Sequence, residues 1–228
     1  MGYWKDVQPD SPAAADLATD AFFDLICQTA EINSDDQVVL DVGCGYGTNA
    51  LYCIRHFQPH HVIGLNLSQV QLKIGQQLVT EAKLADKITL SRGSATDIPL
   101  PDGSVDKIVC IEAASHFNTR EHFFQEAYRV LRPNGLLVLA DYVIPPPEGV
   151  LQKTFLDTAL HFLLLPQANV YNQPDYLTKL ETSRIRTASS RIDLSACCTA
   201  HDTLGFEPCA LFLSRSKSFD WLGFDGFL

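Results

Sequence analysis

The sequence predicts an α/β protein: a doubly wound, mostly parallel sheet covered by helices on both faces, with a helical lid inserted after the fifth strand. Three observations predict it. Short apolar, β-branched runs alternate with segments of helical period. A glycine-rich turn follows the first apolar run. After Pro145-Pro146-Pro147 the alternation gives way to a long apolar helix. The 228 residues suffice for one domain. It divides into an N-terminal helical cap (1–30), a core (31–145), a lid (146–181) and C-terminal strands or tail (182–228).

The elements follow in order. Residues 12–30 carry Leu17, Phe22, Leu25 and Ile26 at helical spacing and predict an amphipathic helix. Residues 37–42 are a buried strand, and "TNALYCIRHF" after the glycines is a helix. His61–Leu67 is the second strand, and Ser68 caps a helix running to about Leu84. Lys87–Ser91 and Val105–Glu112 are the third and fourth strands. Asn118 with Glu121 three residues on fits a capping box for "TREHFFQEAYRVL". Pro133-Asn134-Gly135 is a turn before a fifth strand at 136–143. A strongly apolar helix and a short one, "QPDYLTKLE", make the lid. Beyond Thr182 the periodicity is weak, with "SSRIDLSA" and "CALFLSR" as candidate late strands. In such a sheet, ligands sit at the carboxyl ends of the strands near the switch in strand order. Those ends are Gly43–Gly47, Asn66, Ser94–Thr96, Glu112–His116 and Asp141–Tyr142.

Composition narrows the chemistry. A net charge of −10, from 17 basic and 27 acidic residues, repels phosphate backbones and disfavours nucleic acid as a partner. No apolar run reaches the length of a membrane span, and the first twenty residues lack the apolar stretch of a signal peptide. Seven cysteines without CxxC spacing read as thiols in a reducing, cytoplasmic compartment, with no metal site. The pair Cys197-Cys198 reads as partly buried thiols or as reactive ones.

The stretch "VVLDVGCGYGTNALY" removes side chains on alternate residues, at Gly43, Gly45 and Gly47. A glycine turn between strand and helix lets a ligand lie against the main chain at a helix N-terminus. A dinucleotide fingerprint would need glycine where Thr48 stands and an acid where Asn66 stands. The spacing found here, Asp41 followed by the three glycines, is different. It resembles motif I of the class I S-adenosylmethionine-dependent methyltransferases, which share a Rossmann-like fold. "RGSATDIPLPDGSVDKIVCIEAASHF" and "FFQEAYRVLRPNGLLVLADY" resemble later parts of that family. "GYWKD" and "VIGLNLSQVQ" are similar to a subgroup acting on natural products and other small molecules. The likeness covers about residues 2–145.

The resemblance implies S-adenosylmethionine as cofactor and S-adenosylhomocysteine as product. It places Asp41 toward the ammonium group, Gly43, Gly45 and Gly47 under the methionyl tail, and Asn66 at the ribose hydroxyls with Leu67 and Gln71 beside it. A carboxylate accepts more strongly, so Asn66→Asp is expected to be tolerated; Asn66 as a plain helix-entry residue is the competing reading. The adenine falls by Ser94 and Ala95, with Asp97 as a second acceptor, and Glu112 lines the pocket.

Methyl transfer from a sulfonium needs alignment, water exclusion and, for a hydroxyl acceptor, a base. His116 is the candidate base or a packed loop histidine; Asp141 orients it or caps a loop. Tyr3 and Trp4 close the pocket or staple the first helix. Phe155 and Phe162 form an apolar lid over the acceptor or a homodimer face. The expected activity is methyl transfer to an apolar small molecule, at oxygen before nitrogen or carbon. A cyclopropane-forming lipid enzyme and a non-catalytic cofactor-binding scaffold are the alternatives.

Overall fold

The computed structural model describes residues 3, 13–143, 146–147, 149–183, 185–187 and 207–216. Helix α1 (Ala14–Thr29) precedes β1 (Val38–Val42), α2 (Thr48–His56), β2 (His61–Asn66), α3 (Gln69–Glu81), β3 (Ile88–Arg92) and β4 (Val105–Ile111). Then come α4 (Arg120–Val130), β5 (Leu131–Val143), α5 (Val150–Leu163), α6 (Gln173–Thr182), β6 (Ile185–Thr187) and β7 (Glu207–Ser216). The sheet order is β3-β2-β1-β4-β5-β7-β6. The first five of these strands run parallel, and β7 pairs antiparallel with both β5 and β6. The chain reverses its direction of travel across the sheet between β1 and β4, so the carboxyl ends of those two strands flank the cleft.

Strand parity sorts the core. Val39, Val109, Val138 and Ala140 pack with Phe22, Ile26, Ala50 and Cys53, on the face covered by α1 and α2. Leu40, Val42, Cys110, Leu137 and Leu139 pack with Phe123, Phe124, Ala127 and Tyr176, on the face covered by α4 and α6. The same parity sends the side chain of Asp41 toward α2 and that of Asp141 toward α4 and α6.

The expected elements formed, with three local differences. The cap of α4 is Thr119, whose hydroxyl accepts from His122 N at 3.4 Å, and Asn118 lies one residue outside it. Glu121 pairs with Lys179 of α6 instead of closing a capping box; burial favours its neutral form, but hydrogen bonds from Lys179, its own backbone and Thr119, with the charge of Lys179, together lower its pKa. Pro133-Asn134-Gly135 is an irregularity inside β5: the register steps from Val105↔Leu131 to Lys107↔Leu136. "CALFLSR" lies within β7, whereas β6 is at Ile185–Thr187, ahead of "SSRIDLSA". That second segment and Cys197-Cys198 fall outside the described residues.

Candidate functional site

The glycine turn serves two purposes. A Cβ on Gly43 (φ +79°) would collide with the Cβ of Ala113, so this glycine is needed for close packing of the β1 and β4 ends. A Cβ on Gly45 (φ +55°) would meet nothing within 4 Å: its face is open space. Gly47 is the N-cap residue of α2 and packs against Leu90. The ligand-facing role expected of all three glycines therefore rests on Gly45.

Asp41 is buried at the end of β1, and Asn49 Nδ2 donates to its Oδ2 at 3.3 Å. No lysine or arginine among the described residues forms an ion pair with it. Burial pushes its carboxyl up to about 7, partly countered by the Asn49 bond. Asn49 Oδ1 is a second buried acceptor, with no partner among the described residues. Two desolvated acceptors behind an open glycine face fit a ligand that brings a cation with N–H donors. Asn49 carries no signal in the sequence, because an asparagine in a first helical turn is ordinary.

Asn66, at the end of β2, ties the rim together. Its Nδ2 donates to Gly45 O at 3.2 Å and to Gln71 Oε1 at 2.9 Å, and its Oδ1 accepts from Leu67 N at 2.9 Å. The amide nitrogen thus has an internal task that a carboxylate could not perform. This arrangement argues against the simple expectation that Asn66→Asp is tolerated. Leu67 beside it is exposed. Ser94 and Ala95 form a tight turn: Ser94 Oγ lies 2.9 Å from Thr96 Oγ1 and accepts from Thr96 N, while Ala95 is buried and Asp97 exposed. The segment after it is anchored to α4, where Glu126 accepts from Ile98 N at 2.8 Å and Arg129 donates to the carbonyls of Ile98 and Leu100.

Across the cleft, the chain leaves β4 through Glu112, which has φ +52° and donates its amide to Ala140 O at 2.7 Å. A single 3-10 turn, Ala114–His116, follows. Ser115 is buried and the His116 side chain is exposed.

Asp141 does not stand at this rim. It is fully buried, accepts from Arg120 Nε at 2.7 Å, Tyr176 Oη at 3.0 Å and Ser115 N at 3.1 Å, and so spends its carboxylate on the chain itself. Parity is the reason, since Leu137, Leu139 and Asp141 share the α4/α6 face. The expected catalytic part for Asp141 is corrected to a structural one. Arg120 and Asn169, both fully buried partners in this cluster, had no sequence signal: nothing local marks an arginine in a helix's first turn or an asparagine in a loop as buried.

Tyr3 is half-buried on the first core cluster, and its amide donates to Ala18 O at 2.7 Å. Trp4 lies outside the described residues. Helix α5 buries Leu160 but leaves Phe155 and Phe162 at 54% and 80% exposure, so both turn most of their surface to solvent.

Residues 40–139 match a family model described as a methyltransferase domain. The chain is 30% identical over 145 residues to erythromycin 3''-O-methyltransferase of Saccharopolyspora erythraea, covering 63% of this chain and 45% of that protein. It is 31% identical over 152 residues to 27-O-demethylrifamycin SV methyltransferase of Amycolatopsis mediterranei, covering 65% and 53%. The chain thus spans about half the length of the curated relatives it matches. A crystal structure of geranyl diphosphate C-methyltransferase from Streptomyces coelicolor A3(2) superposes with a TM-score of 0.74 at 17% identity, covering 92% of this chain and 86% of that one. No described helix is long and apolar enough to cross a membrane.

Proposed function

We propose that this chain, whose residues 40–139 match a methyltransferase-domain model and whose fold superposes on that of a solved methyltransferase, transfers a methyl group from S-adenosylmethionine to a hydroxyl oxygen of an apolar small molecule. The observation that carries the reading is the open face of Gly45 beside the buried acceptors of Asp41 and Asn49, at the carboxyl end of β1. The bound sulfonium supplies an activated methyl group and a neutral leaving group; the protein must hold it, align the acceptor and exclude water. Asp41 and Asn49 Oδ1 take the ammonium. The remaining lone pair of Asn66 Oδ1 takes a ribose hydroxyl, with the exposed Leu67 side chain against the nucleoside. The Ser94–Ala95 turn receives the adenine, and Glu112 lines the pocket. His116 stands at the rim as the base that takes the acceptor's proton as the methyl arrives.

The choice of oxygen is supported by the erythromycin relative, whose name specifies O-methylation, and the apolar acceptor by the exposed phenylalanines of α5. Cys27, Cys44, Cys53 and Cys110 are free and buried, which suits a reducing, cytoplasmic compartment.

Calorimetry with S-adenosylhomocysteine tests the reading. Binding in the micromolar range, about −7 to −8 kcal/mol, is expected, and NAD should not bind. Gly45→Val should abolish binding in a folded protein, and unchanged affinity would remove the cofactor site. On a panel of phenols and alcohols, His116→Ala should lower turnover by about 10²–10⁴ while leaving cofactor affinity unchanged. Equal rates would remove the base role of His116.

A further inference from the structure

The backbone carbonyls of the residues on both sides of His116 are held by one buried side chain from the lid. Asn169 Nδ2 donates to Ser115 O at 2.9 Å and to Phe117 O at 2.8 Å. Asn169 is itself fixed from α4: its Oδ1 accepts from Arg120 N at 3.2 Å, and its carbonyl accepts from Arg120 Nη1 at 2.6 Å. Arg120 is locked in turn by Asp141, which also takes the amide of Ser115. Asn169, Arg120 and Asp141 are all fully buried, whereas the His116 side chain is exposed.

We propose that Asn169 is the positioning residue for His116: the lid insertion supplies the clamp that fixes where the imidazole stands at the acceptor side of the cleft. The inference rests on the proposed role of His116 as base. The chemistry asks for asparagine in particular. Its carboxamide donates two hydrogen bonds and accepts at its oxygen, which matches two carbonyls and one amide. An aliphatic residue would leave the buried Ser115 O and the half-buried Phe117 O without those donors, and a carboxylate would set oxygen against oxygen. The clamp grips backbone on either side of His116 and leaves the ring free to turn toward an acceptor. Because α5 and α6 flank Asn169, any shift of the lid is transmitted to the loop that carries the base.

Amide hydrogen exchange on the full chain tests this, with wild type, Asn169→Ala and Asn169→Asp compared. Asn169→Asp keeps the acceptor for Arg120 N and loses the two donated bonds. Both variants should raise exchange at Ser115, His116 and Phe117 by about tenfold or more, while amides of β1 and β4 keep wild-type rates. The His116 ring resonances should shift or broaden in the same two variants. Should Asn169→Ala fail to fold, Asn169→Ser, which keeps one small donor, gives the same comparison. Wild-type exchange and ring signals in Asn169→Asp would overturn the proposal, as would faster exchange spread evenly through the core strands. S-adenosylhomocysteine binding, measured on the same samples, should stay within about threefold of wild type; a wild type that binds none would sink the cofactor reading without altering the exchange result, so the two failures are told apart.

Discussion

Asp41 meets the solvent-free interior with one amide donor and no cation from the described chain, and this has a pH signature. Burial raises its carboxyl from 3.8 to about 7, so the folded protein holds a proton that the unfolded chain releases. Its contribution to stability is therefore most favourable below about pH 4, declines as pH rises toward 7, and is constant above that. A bound ammonium favours the carboxylate, so cofactor binding below pH 7 must expel the proton. Affinity for S-adenosylhomocysteine should climb between about pH 5 and pH 7 and then level, and Asp41→Asn should remove that climb. Calorimetry in buffers of different ionisation heat counts the released proton; none released at pH 6 would show that the ligand does not meet Asp41. At Asn66 the expectation runs against simple charge reasoning. Asn66→Asp would place a carboxylate against Gly45 O and Gln71 Oε1, and affinity should fall by about 1–2 kcal/mol. Affinity equal to or better than wild type would show that the amide nitrogen is dispensable.

Among the elements, α5 differs from the rest. Helices α1 to α4 bury an apolar face against the sheet, and the period-3.6 pattern in the sequence reports that face directly. In α5 the apolar residues surround the helix, and Val150, Leu151, Phe155, Phe162 and Leu163 stay exposed. Periodicity cannot say what such a helix faces. Replacing Phe155 and Phe162 together by serine should change stability by no more than about 0.5 kcal/mol each, since both turn most of their surface to solvent. Thermal melts and sedimentation of the variant check this. A loss of several kcal/mol, or a change of oligomeric state, would mean that a second copy covers this face in solution. The capping of α4 shows the complementary limit: Asn118 and Thr119 are both good cap residues, and only the chain's path into the helix selects Thr119.

At the scale of the whole molecule, the Arg120–Asp141 pair joins α4 and β5, and through Tyr176 and Asn169 it draws in α6 and the connection between α5 and α6. Arg120→Ala would leave a buried carboxylate without its cation, and should destabilise the protein by about 3–5 kcal/mol. Denaturant unfolding measures it; a loss under about 1 kcal/mol would show that water reaches Asp141 once the guanidinium is gone. The sequence by itself determined the strand–helix alternation, the parallel sheet and the glycine turn behind Asp41. Each of these depends on local periodicity or on backbone geometry that only glycine permits. The tertiary structure alone decided that Gly43 serves packing and Gly45 the open face, that Asp141 turns inward while His116 stays out, and that Asn169, from the connection between α5 and α6, holds the carbonyls of Ser115 and Phe117. Those outcomes depend on which residues from distant segments arrive at the same place. Hydrogen bonds spanning 21 to 54 positions leave no periodic trace along the chain.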